Sequence, residues 1–373
     1  MRHKLLNEQI PKLCKDCHFT EKSHLQKNIR FAEGSRTRFD NYLGVDFTDY
    51  SSIMRLEHIT FIELWFSNKC NLKCRMCSPK HSDQLLQEWP GIINSVKDSK
   101  DLFPTVETPD LDWTTNDASW KNLFKFIQTI FNNLPSQIVT IVMSGGEPML
   151  CDGMYKFFEL CLEHNVAKNL ILRYNTNLTI LPTKMVSYWR YFKQIRIIAS
   201  IDGYNTINDY IRFPSKWSKI CSNIELLRDL QSNVNLELYV HPTIQCYNIL
   251  NITELYNWCI NTPFKSVVSE RHEYKHILFD RLSNPLVDPK LLNITILPKV
   301  LKDLAVERLV NFFETDNKYI KEQNIKNSLQ VLIKYIYSRD NSRLFPDFLR
   351  FTTHLDKSRN QNILDIMPEL RQL

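Results

Sequence analysis

From residue 60 onward, short apolar runs rich in β-branched and aromatic residues alternate with longer segments whose apolar residues recur at helical spacing. The short runs predict strands and the longer segments predict helices, because the two structures repeat every two and every 3.6 residues. The predicted strands lie at 60–66, 137–143, 170–174, 194–200 and 234–240, with a sixth at 266–268 or 275–278. The predicted helices lie at 81–89, 118–134, 155–164, 184–192, 220–231 and 252–259. Residues 91–117 show little periodicity and predict an insertion loop.

This alternation also predicts the fold class. Strands separated by helices of this length form a parallel sheet with right-handed crossovers, so we predict an α/β protein. We assign residues 58–265 to the α/β core and residues 1–57 to an N-terminal extension. Residues 266–373 form a mainly helical C-terminal region, with helices predicted at 300–313 and 327–337.

Composition narrows the class of protein and its compartment. With 43% hydrophobic and 24% charged residues, the chain has the make-up of an ordinary soluble globular protein. No apolar run approaches the roughly 20 residues of a membrane span, and the first residues lack the apolar core of a signal peptide. We therefore expect a cytoplasmic protein with reduced cysteines. The net charge of +6 is interspersed with acidic residues, which does not indicate nucleic-acid binding.

Three of the ten cysteines fall within eight residues, directly after the strand predicted at 60–66. Cys70, Cys74 and Cys77 have the spacing C-x3-C-x2-C in a polar loop. Loops at the carboxyl ends of parallel strands are where α/β folds build their sites. The loop alone is compatible with three chemistries: inert thiols, a structural zinc ion with His81 as fourth ligand, or an iron–sulfur cluster with one iron free of protein ligands.

The strand predicted at 137–143 also ends in a motif, Ser144-Gly145-Gly146-Glu147. The chain has seven glycines, and two adjacent ones at a strand end permit a positive φ and close approach to the backbone. A plain strand-to-helix turn is the alternative. Polar residues follow the later strands too, and they are Asn175, Asn177, Ser200, Asp202, His241 and Thr243.

The sequence CNLKCRMC after one strand and SGGEP after the next resemble the signature of the radical S-adenosylmethionine (radical SAM) superfamily. The resemblance implies a partial (β/α)6 barrel of the TIM type over about residues 58–265. It also implies that Cys70, Cys74 and Cys77 hold a [4Fe-4S] cluster. The fourth iron of that cluster would be chelated by the methionine amino and carboxylate groups of SAM.

The same resemblance implies contacts to SAM. Gly145, Gly146 and Glu147 would meet its amino group, since a carboxylate facing an ammonium is a charge-assisted pair. Met76 occupies a position near adenine where the family often has an aromatic residue, and Arg212 resembles an arginine that often binds SAM. A surface salt bridge is the alternative role for Arg212. The complete implied set is Met76, Ser144, Gly145, Gly146, Glu147, Asn175, Asn177, Ser200, Asp202 and Arg212.

Cys14 and Cys17 form a second cysteine pair, with His18 and His24 close by. Two thiols make half a metal site, so the alternatives are free thiols, a structural zinc ion, or a second cluster completed from elsewhere. No cysteine follows Cys259, unlike radical SAM proteins with a full C-terminal auxiliary-cluster (SPASM) domain. The pair and the tail LDKSRNQNILDIMPEL resemble twitch-type radical SAM proteins instead.

Together these resemblances imply an enzyme that cleaves SAM reductively to methionine and a 5′-deoxyadenosyl radical, which abstracts hydrogen from a substrate. Relatives with SPASM or twitch regions often act on peptides or proteins, so a peptide is the first expected substrate, with a small molecule as the other. An electron donor such as flavodoxin or ferredoxin is implied. Modification of a nucleotide, an RNA or a small metabolite is one alternative, and a non-catalytic zinc-binding module is another.

Overall fold

A computed structural model of the chain describes residues 60–96, 138–269, 272–279, 283–314 and 323–372, and residues 124–125, 127–128 and 130–131. Its strands are β1 Phe61–Trp65, β2 Val139–Ser144, β3 Leu170–Thr176, β4 Gln194–Ala199, β5 Leu236–Val240, β6 Pro263–Ser269, β7 His272–His276 and β8 Leu278–Phe279. Six of them form one sheet in the order β1-β2-β3-β4-β5-β8, and each neighbouring pair is parallel. The predicted α/β class with a six-stranded partial barrel is confirmed.

Helices separate the strands and continue beyond the sheet. They are α1 Trp89–Ser95, α2 Gly153–Glu163, α3 Thr183–Tyr188, α4 Thr206–Ile211, α5 Trp217–Leu230, α6 Ile252–Asn261, α7 Lys299–Glu314, α8 Gln323–Ile336 and α9 Phe345–Arg359. The described residues between 124 and 131 are also helical, inside the helix predicted at 118–134. The helices α7, α8 and α9 confirm a helical C-terminal region.

The sheet has one apolar face and one mixed face, as β3 illustrates. Leu170, Leu172 and Tyr174 are completely buried, while Arg173 and Asn175 between them are half-buried. Because successive side chains of a strand point to opposite faces, the first set packs against the helices and the second set belongs to the inner face of the partial barrel. Polar residues can therefore collect inside the barrel without interrupting the core.

The sixth strand of the sheet, β8, overlaps the second predicted position, 275–278, only at Leu278, because residues 275–276 belong to β7. β8 pairs in parallel with β5. The other candidate, 266–268, does form strand, but it belongs to β6, which pairs antiparallel with β7 in a separate two-stranded sheet. The apolar run at 266–268 signalled a strand correctly, since periodicity identifies strands but does not identify their partners. The position of β8 puts the last strand of the sheet after residue 265.

One helix prediction was wrong and one helix was missed, and both matter for the site. Residues 81–88 contain only a short 3-10 turn, and α1 begins at Trp89, so part of the predicted insertion loop is helical. α9 was not predicted, although its first residues include Pro346. In both helices the proline occupies the first turn, where its missing N–H costs nothing.

Some predictions fall outside the described residues. These include the N-terminal extension with Cys14 and Cys17, and most of the insertion loop predicted at 91–117. Within the part of the chain that the structure describes, no helix combines the length and the apolar character needed to cross a membrane.

Candidate functional site

The cysteine loop, residues 66–78, leaves β1 at its carboxyl end. Its backbone is fixed by side chains that follow it in the sequence. Ser82 Oγ donates to the carbonyl oxygen of Leu72 at 2.6 Å, and Asp83 Oδ1 accepts from the amide of Cys70 at 3.0 Å. These contacts explain the short 3-10 turn at this point, since Ser82 and Asp83 bond to the loop instead of extending a helix.

The loop gathers its three thiols beside a buried cation. The thiols of Cys74 and Cys77 are hydrogen-bonded to each other. Arg212 donates from Nη1 to the Sγ of Cys74 at 3.8 Å. The side-chain amide of Asn177 reaches the Sγ of Cys70 at 4.0 Å. Two of the residues predicted to bind SAM thus touch the thiols predicted to bind iron.

The three thiols differ in acidity. Burial, reinforced by the nearby Cys74, raises the pKa of the Cys70 thiol to about 12. In the hydrogen-bonded pair, Cys77 donates, which lowers the pKa of Cys74 and raises the pKa of Cys77 well above its usual range. Arg212 lowers the pKa of Cys74 further. Cys74 is therefore the most acidic of the three thiols, and a metal would have to displace protons from the other two.

The two adjacent glycines let this loop approach β2 closely. Gly145 has φ +118°, and a Cβ there would lie 2.6 Å from the Ser67 carbonyl oxygen and 2.1 Å from the Trp65 ring. A Cβ on Gly146 would lie 2.2 Å from the carbonyl oxygen of Lys69. The positive φ and the close approach expected of these glycines are both present, and the group that approaches is the cysteine loop itself.

The carboxylate of Glu147 is buried beneath the loop. It accepts three hydrogen bonds: from Thr176 Oγ1 at 2.7 Å, from the amide of Asn177 at 2.8 Å and from the amide of Met149 at 3.1 Å. Its own amide donates to the carbonyl of Lys69 at 2.8 Å. Burial outweighs these bonds and raises the pKa of Glu147 from 4.5 to about 7. A nearby cation would favour the charged form of this carboxylate.

Asn177 joins the end of β3 to the cysteine loop. Its Nδ2 donates to the side-chain oxygen of Asn71 at 2.9 Å, and its Oδ1 accepts from Thr179 Oγ1 at 2.6 Å. Asn71 in turn donates to Thr179 at 2.8 Å. This three-residue ring satisfies buried polar groups and holds the loop against the strand end.

Asp202 and Arg212 form a buried ion pair at the end of β4. Asp202 Oδ2 lies 2.7 Å from Arg212 Nε, and the two side chains are 0% and 11% exposed. The other carboxylate oxygen accepts from the amide of Thr243 at 2.8 Å. Burial alone would lower the pKa of Arg212, but Asp202 and Cys74 outweigh burial and raise it. The pair is therefore part of the thiol site, and the surface salt bridge considered for Arg212 is excluded.

Other predicted residues lie nearby with different contacts. Ser144 donates to Glu63 at 2.5 Å, and Met76 packs against the apolar core. Ser200 is half-buried, and its amide donates to the carbonyl of Thr176. Asn175, on the inner face of β3, is also half-buried.

The two histidines considered as site residues have other neighbours. His241 Nε2 lies 3.0 Å from Asn284 Nδ2. His81, considered as a zinc ligand, is exposed and stacks on the Trp65 ring with a centroid distance of 5.4 Å. The Nδ1 of the His81 ring lies 3.4 Å from Ser78 Oγ.

Several residues that shape the site were missed. Asn71, Thr176 and Thr179 lie next to predicted residues, and their positions after a strand or within the cysteine motif were the available signal. Arg75 and Asp356 were missed for another reason. Arg75 stands inside the motif but Asp356 follows 281 residues later, and no local pattern links them.

The donor set fits an iron–sulfur cluster. Three thiols from one loop are the ligands that such clusters take, and a buried arginine beside Cys74 would compensate thiolate charge. Among the residues that the structure describes, no three His, Cys, Asp or Glu side chains have the geometry to hold a single metal ion. The residues that would hold the cluster are Cys70, Cys74 and Cys77.

Comparison with sequence families identifies the central part of the chain. Residues 66–245, slightly less than half of it, match the sequence model of the radical SAM superfamily. The matched range begins at the cysteine loop and includes Gly145, Gly146, Glu147, Asp202 and Arg212. Residues 66–245 are thus similar in sequence to the radical SAM superfamily. No curated protein matches the chain as a whole or in part.

Solved structures give remote matches. Native anSMEcpe with bound AdoMet matches at 19% identity and a TM-score of 0.41, over 68% of this chain and 61% of that one. Streptococcus suis SuiB matches at 12% identity and a TM-score of 0.35, over 82% of this chain and 59% of that one. SuiB bound to precursor peptide SuiA matches at 15% identity and a TM-score of 0.31, over 67% of this chain and 48% of that one. The chain spans about three fifths of the first two, and likenesses this weak carry no argument about function.

Proposed function

We propose that the chain is a radical SAM enzyme whose [4Fe-4S] cluster is held by Cys70, Cys74 and Cys77. The observation that carries the proposal is the buried Asp202–Arg212 pair, whose arginine lies 3.8 Å from the Cys74 Sγ. Burying a charged pair costs free energy that only close pairing and further hydrogen bonds offset, and this pair lies directly beside a thiol of the cysteine loop. A guanidinium beside a thiol ligand would stabilise the anionic thiolate and attract the carboxylate of a bound cofactor.

When bound, the cluster supplies the electron that cleaves SAM to methionine and a 5′-deoxyadenosyl radical, and this radical abstracts hydrogen from the substrate. The protein residues hold and shield these groups. Glu147, fixed by three donors, would present its carboxylate to the amino group of SAM. Gly145 and Gly146 would set the distance between that carboxylate and the cysteine loop, because their lack of side chains allows the close approach.

The remaining cofactor contacts follow the inner face and the strand ends. Arg212, oriented by Asp202, would meet the carboxylate of SAM, and Asn177 would hold the Cys70 side of the loop. The other members of the proposed set are Met76, Ser144, Asn175 and Ser200. The buried position of Asp202 makes it an orienting group for Arg212 instead of a direct ligand.

A peptide or protein is the proposed substrate class, and flavodoxin or ferredoxin is the proposed kind of electron donor. Both proposals rest on the sequence resemblance to twitch-type radical SAM proteins. The inner face of the sheet carries Arg173, Arg196 and Glu237 next to one another in register. Polar side chains at this face could bind the backbone or side chains of a peptide that enters the barrel.

The proposal is tested with the full chain purified and reconstituted without oxygen. We expect a brown protein with about four irons and four sulfides at the cysteine loop, which forms 5′-deoxyadenosine from SAM when dithionite is added. Replacing Cys70, Cys74 or Cys77 with Ala should abolish both properties, since each thiolate holds one iron. Cys221→Ala is the control, because this half-buried thiol lies on α5 away from the loop. A colourless protein that carries zinc would refute the proposal.

The N-terminal cysteines need a separate measurement. We propose that Cys14 and Cys17 bind a structural metal or none, and that they take no part in SAM cleavage. In the double variant Cys14→Ala, Cys17→Ala, about four irons and the formation of 5′-deoxyadenosine should persist. A fall from about eight irons to about four would instead establish a second cluster.

A further inference from the structure

Arg75, between the second and third cysteines, is only 1% exposed although it is charged. Its Nε donates to the carbonyl oxygen of Tyr210 at 3.1 Å, and its Nη2 donates to the Gln361 Oε1 at 2.9 Å. The same nitrogen pairs with Asp356 Oδ1. Burial removes water from the guanidinium, and these three acceptors satisfy its Nε and Nη2 in place of that water. The cysteine motif is therefore tied directly to α9 and to the turn after it.

Tyr210 strengthens this tie. The Arg75 guanidinium carbon lies 3.7 Å from the centroid of the Tyr210 ring, a cation–π distance. The hydroxyl of Tyr210 donates to Asp356 Oδ1 at 2.8 Å, so the ring and the carboxylate enclose Arg75 together. We call Arg75, Tyr210, Asp356 and Gln361 the arginine clamp.

The far end of the clamp is also fixed. α9 ends at Arg359, and Asn360 after it has the left-handed φ of 51° that often follows a helix. The turn brings the amide of Gln361 to the carbonyl of Asp356 at 3.0 Å and the amide of Ile363 to Asp356 Oδ2 at 2.8 Å. Asp356 and Gln361 thus face Arg75 in a fixed geometry.

The near end of the clamp lies beside Cys74. The amides of Lys73 and Arg75, which flank Cys74, donate to the carbonyls of Phe213 at 2.6 Å and Ile211 at 2.9 Å. Between those two carbonyls stands Arg212, the residue that donates to the Cys74 thiol. The Cys74–Arg212 contact therefore lies between two backbone segments, the cysteine motif and residues 210–213. Arg75 of the clamp holds these segments together, because it bonds to the carbonyl of Tyr210.

A second connection runs from the same motif to α9. Lys73 Nζ pairs with Glu88 Oε1 at 2.8 Å, and Glu88 Oε2 pairs with Arg359 Nη2 at 2.8 Å. The Arg359 guanidinium lies 5.4 Å from the Phe213 ring centroid. The two residues that flank Cys74 are thus both linked to α9, one directly and one through Glu88.

We propose that α9 positions Cys74 through Arg75, so that the C-terminal helix is part of the cluster site although it lies outside the matched family range. Arg75 is a positioning residue: it holds the backbone on which Cys74 and its contact to Arg212 depend. This role in cluster binding rests on the proposed function. The positioning of the loop can be measured without it.

The first test uses the full chain without iron and follows hydrogen exchange at the amides of Lys73 and Arg75. Arg75→Met and Asp356→Asn should each speed exchange at these two amides about tenfold or more, because a hydrogen bond to a charged group is lost. The double variant should exchange no faster than the faster single variant, since both substitutions break one unit.

The matched control is Arg308→Met in the same C-terminal region. Arg308 also bonds a backbone carbonyl, that of Leu250 at 2.9 Å, and a carboxylate, that of Glu369 at 2.5 Å. It is no part of the clamp. We expect the control to leave exchange at Lys73 and Arg75 unchanged. The proposal is wrong if these amides exchange as fast in Arg308→Met as in Arg75→Met. It is also wrong if Arg75→Met exchanges at the wild-type rate.

The second test uses the reconstituted protein. Arg75→Met and Asp356→Asn should release iron to a chelator about tenfold faster than wild type and alter the electron paramagnetic resonance signal of the reduced cluster. Arg75→Lys should be intermediate, since an ammonium keeps the charge but cannot bridge the same three acceptors. A signal and release rate equal to wild type in Arg75→Met would refute the role at the cluster.

The two tests separate this inference from the proposed function. If wild type binds no iron and sulfide, the proposed function fails, and the exchange measurement still decides whether the clamp positions the loop. If wild type forms a cluster and cleaves SAM but the Lys73 and Arg75 amides do not respond to Arg75→Met, only the inference fails.

Discussion

The cysteine loop is held by different chemistry on two sides. On the strand-edge side it meets the ends of β2, β3 and β4 through backbone contacts, amides and the Asp202–Arg212 pair. On the α9 side it meets a helix of the C-terminal region through Arg75 and through the Lys73–Glu88–Arg359 chain. The strand-edge side places groups next to the thiols, while the α9 side fixes the backbone that carries them.

The two sides also differ in how far their residues lie from the cysteine loop along the sequence. Every strand-edge partner lies inside the range matched by the radical SAM superfamily, residues 66–245. Asp356, Arg359 and Gln361 lie beyond it. The cysteine loop is thus held in place partly by a region of the chain that follows the matched range. The predictions below compare the two sides, beginning with the largest expected effect.

The strand-edge side should be most sensitive at Asp202. Asp202→Asn removes the charge opposite Arg212, whose side chain is 11% exposed, and leaves a buried cation without its partner. Breaking a buried pair in this way costs about 3–5 kcal/mol of unfolding free energy. Urea unfolding of the iron-free protein, followed by circular dichroism, measures the loss.

The control for this change is Glu237→Gln, which removes the partner of Arg196. The side chains of Arg196 and Glu237 are 38% and 7% exposed, so water can solvate the released guanidinium and we expect a smaller cost, about 1 kcal/mol. If the two substitutions had equal costs, the burial of the Asp202–Arg212 pair would not matter in the way inferred.

Alanine substitutions of two glycines, one on each side, compare how tightly the two sides are packed. Gly146→Ala places a Cβ 2.2 Å from the Lys69 carbonyl oxygen and 2.6 Å from the Asn68 carbonyl carbon. Backbone atoms cannot rotate away, so we expect a cost near the upper end of the range of about 1–3 kcal/mol for overpacking. A thermal melt of the iron-free protein measures it.

Gly91→Ala, in α1 beside α9, is the matched substitution. Its Cβ would meet the far end of the His354 ring at 3.0 Å, and a side chain can move aside. Alanine is favoured over glycine inside a helix by about 1 kcal/mol, so the net change should be close to zero. A larger loss at Gly91 than at Gly146 would show that the α9 side is the more tightly packed.

The strand-edge side was largely accessible from the sequence. The strands β1 to β5 came from apolar runs, and the residues after each strand end meet at one edge because the strands are parallel. That geometry is why Glu147, Asn177, Asp202 and Arg212 converge. The sequence motif did not reveal that the glycines contact the cysteine loop, since it records the absence of a side chain but not the neighbour that needs the space.

The α9 side was not accessible. Arg75 is a charged residue in a polar loop, and such a residue is usually solvated. Its burial depends on Asp356 and Gln361, more than 280 residues later, and on the helix α9, which was not predicted. The antiparallel hairpin β6–β7 was missed as a hairpin for a related reason, because strand pairing is set by tertiary contacts.

A pH dependence should come from the strand-edge side through Glu147. Its pKa is raised from 4.5 to about 7 by burial, so the folded protein binds a proton more tightly than the unfolded chain. Its contribution to stability is complete below about pH 4.5 and is lost as the pH rises to about 7. Between pH 5 and pH 7 we expect the loss to be about 2 kcal/mol of unfolding free energy.

Glu147→Gln isolates this contribution. The variant will be less stable overall at low pH, because its amide nitrogen replaces one of the oxygens that accept bonds from Thr176, Asn177 and Met149. Urea titrations at several pH values give the difference between wild type and variant. That difference should shrink by about 2 kcal/mol from pH 5 to pH 7. A difference independent of pH would mean that Glu147 does not titrate in this range.

The smallest effect is expected at the exposed end of the α9 side. The Lys73 side chain is 26% exposed, and Glu88, its partner, also pairs with the 1% exposed Arg359. Lys73→Met should therefore lower the unfolding free energy by less than about 1 kcal/mol, since the buried Arg359 keeps its carboxylate. Added salt should weaken the contribution of Lys73 further.

Glu88→Gln is the informative companion, because it removes the carboxylate from both cations and leaves Arg359 buried without a charged partner. We expect it to cost more than Lys73→Met, and exchange at the Lys73 amide should change in neither variant as much as in Arg75→Met. That order would assign the positioning of the cysteine loop to the buried arginine clamp. If Lys73→Met instead loosened the loop as much as Arg75→Met, the half-buried Lys73–Glu88 ion pair would be the main link between the motif and α9.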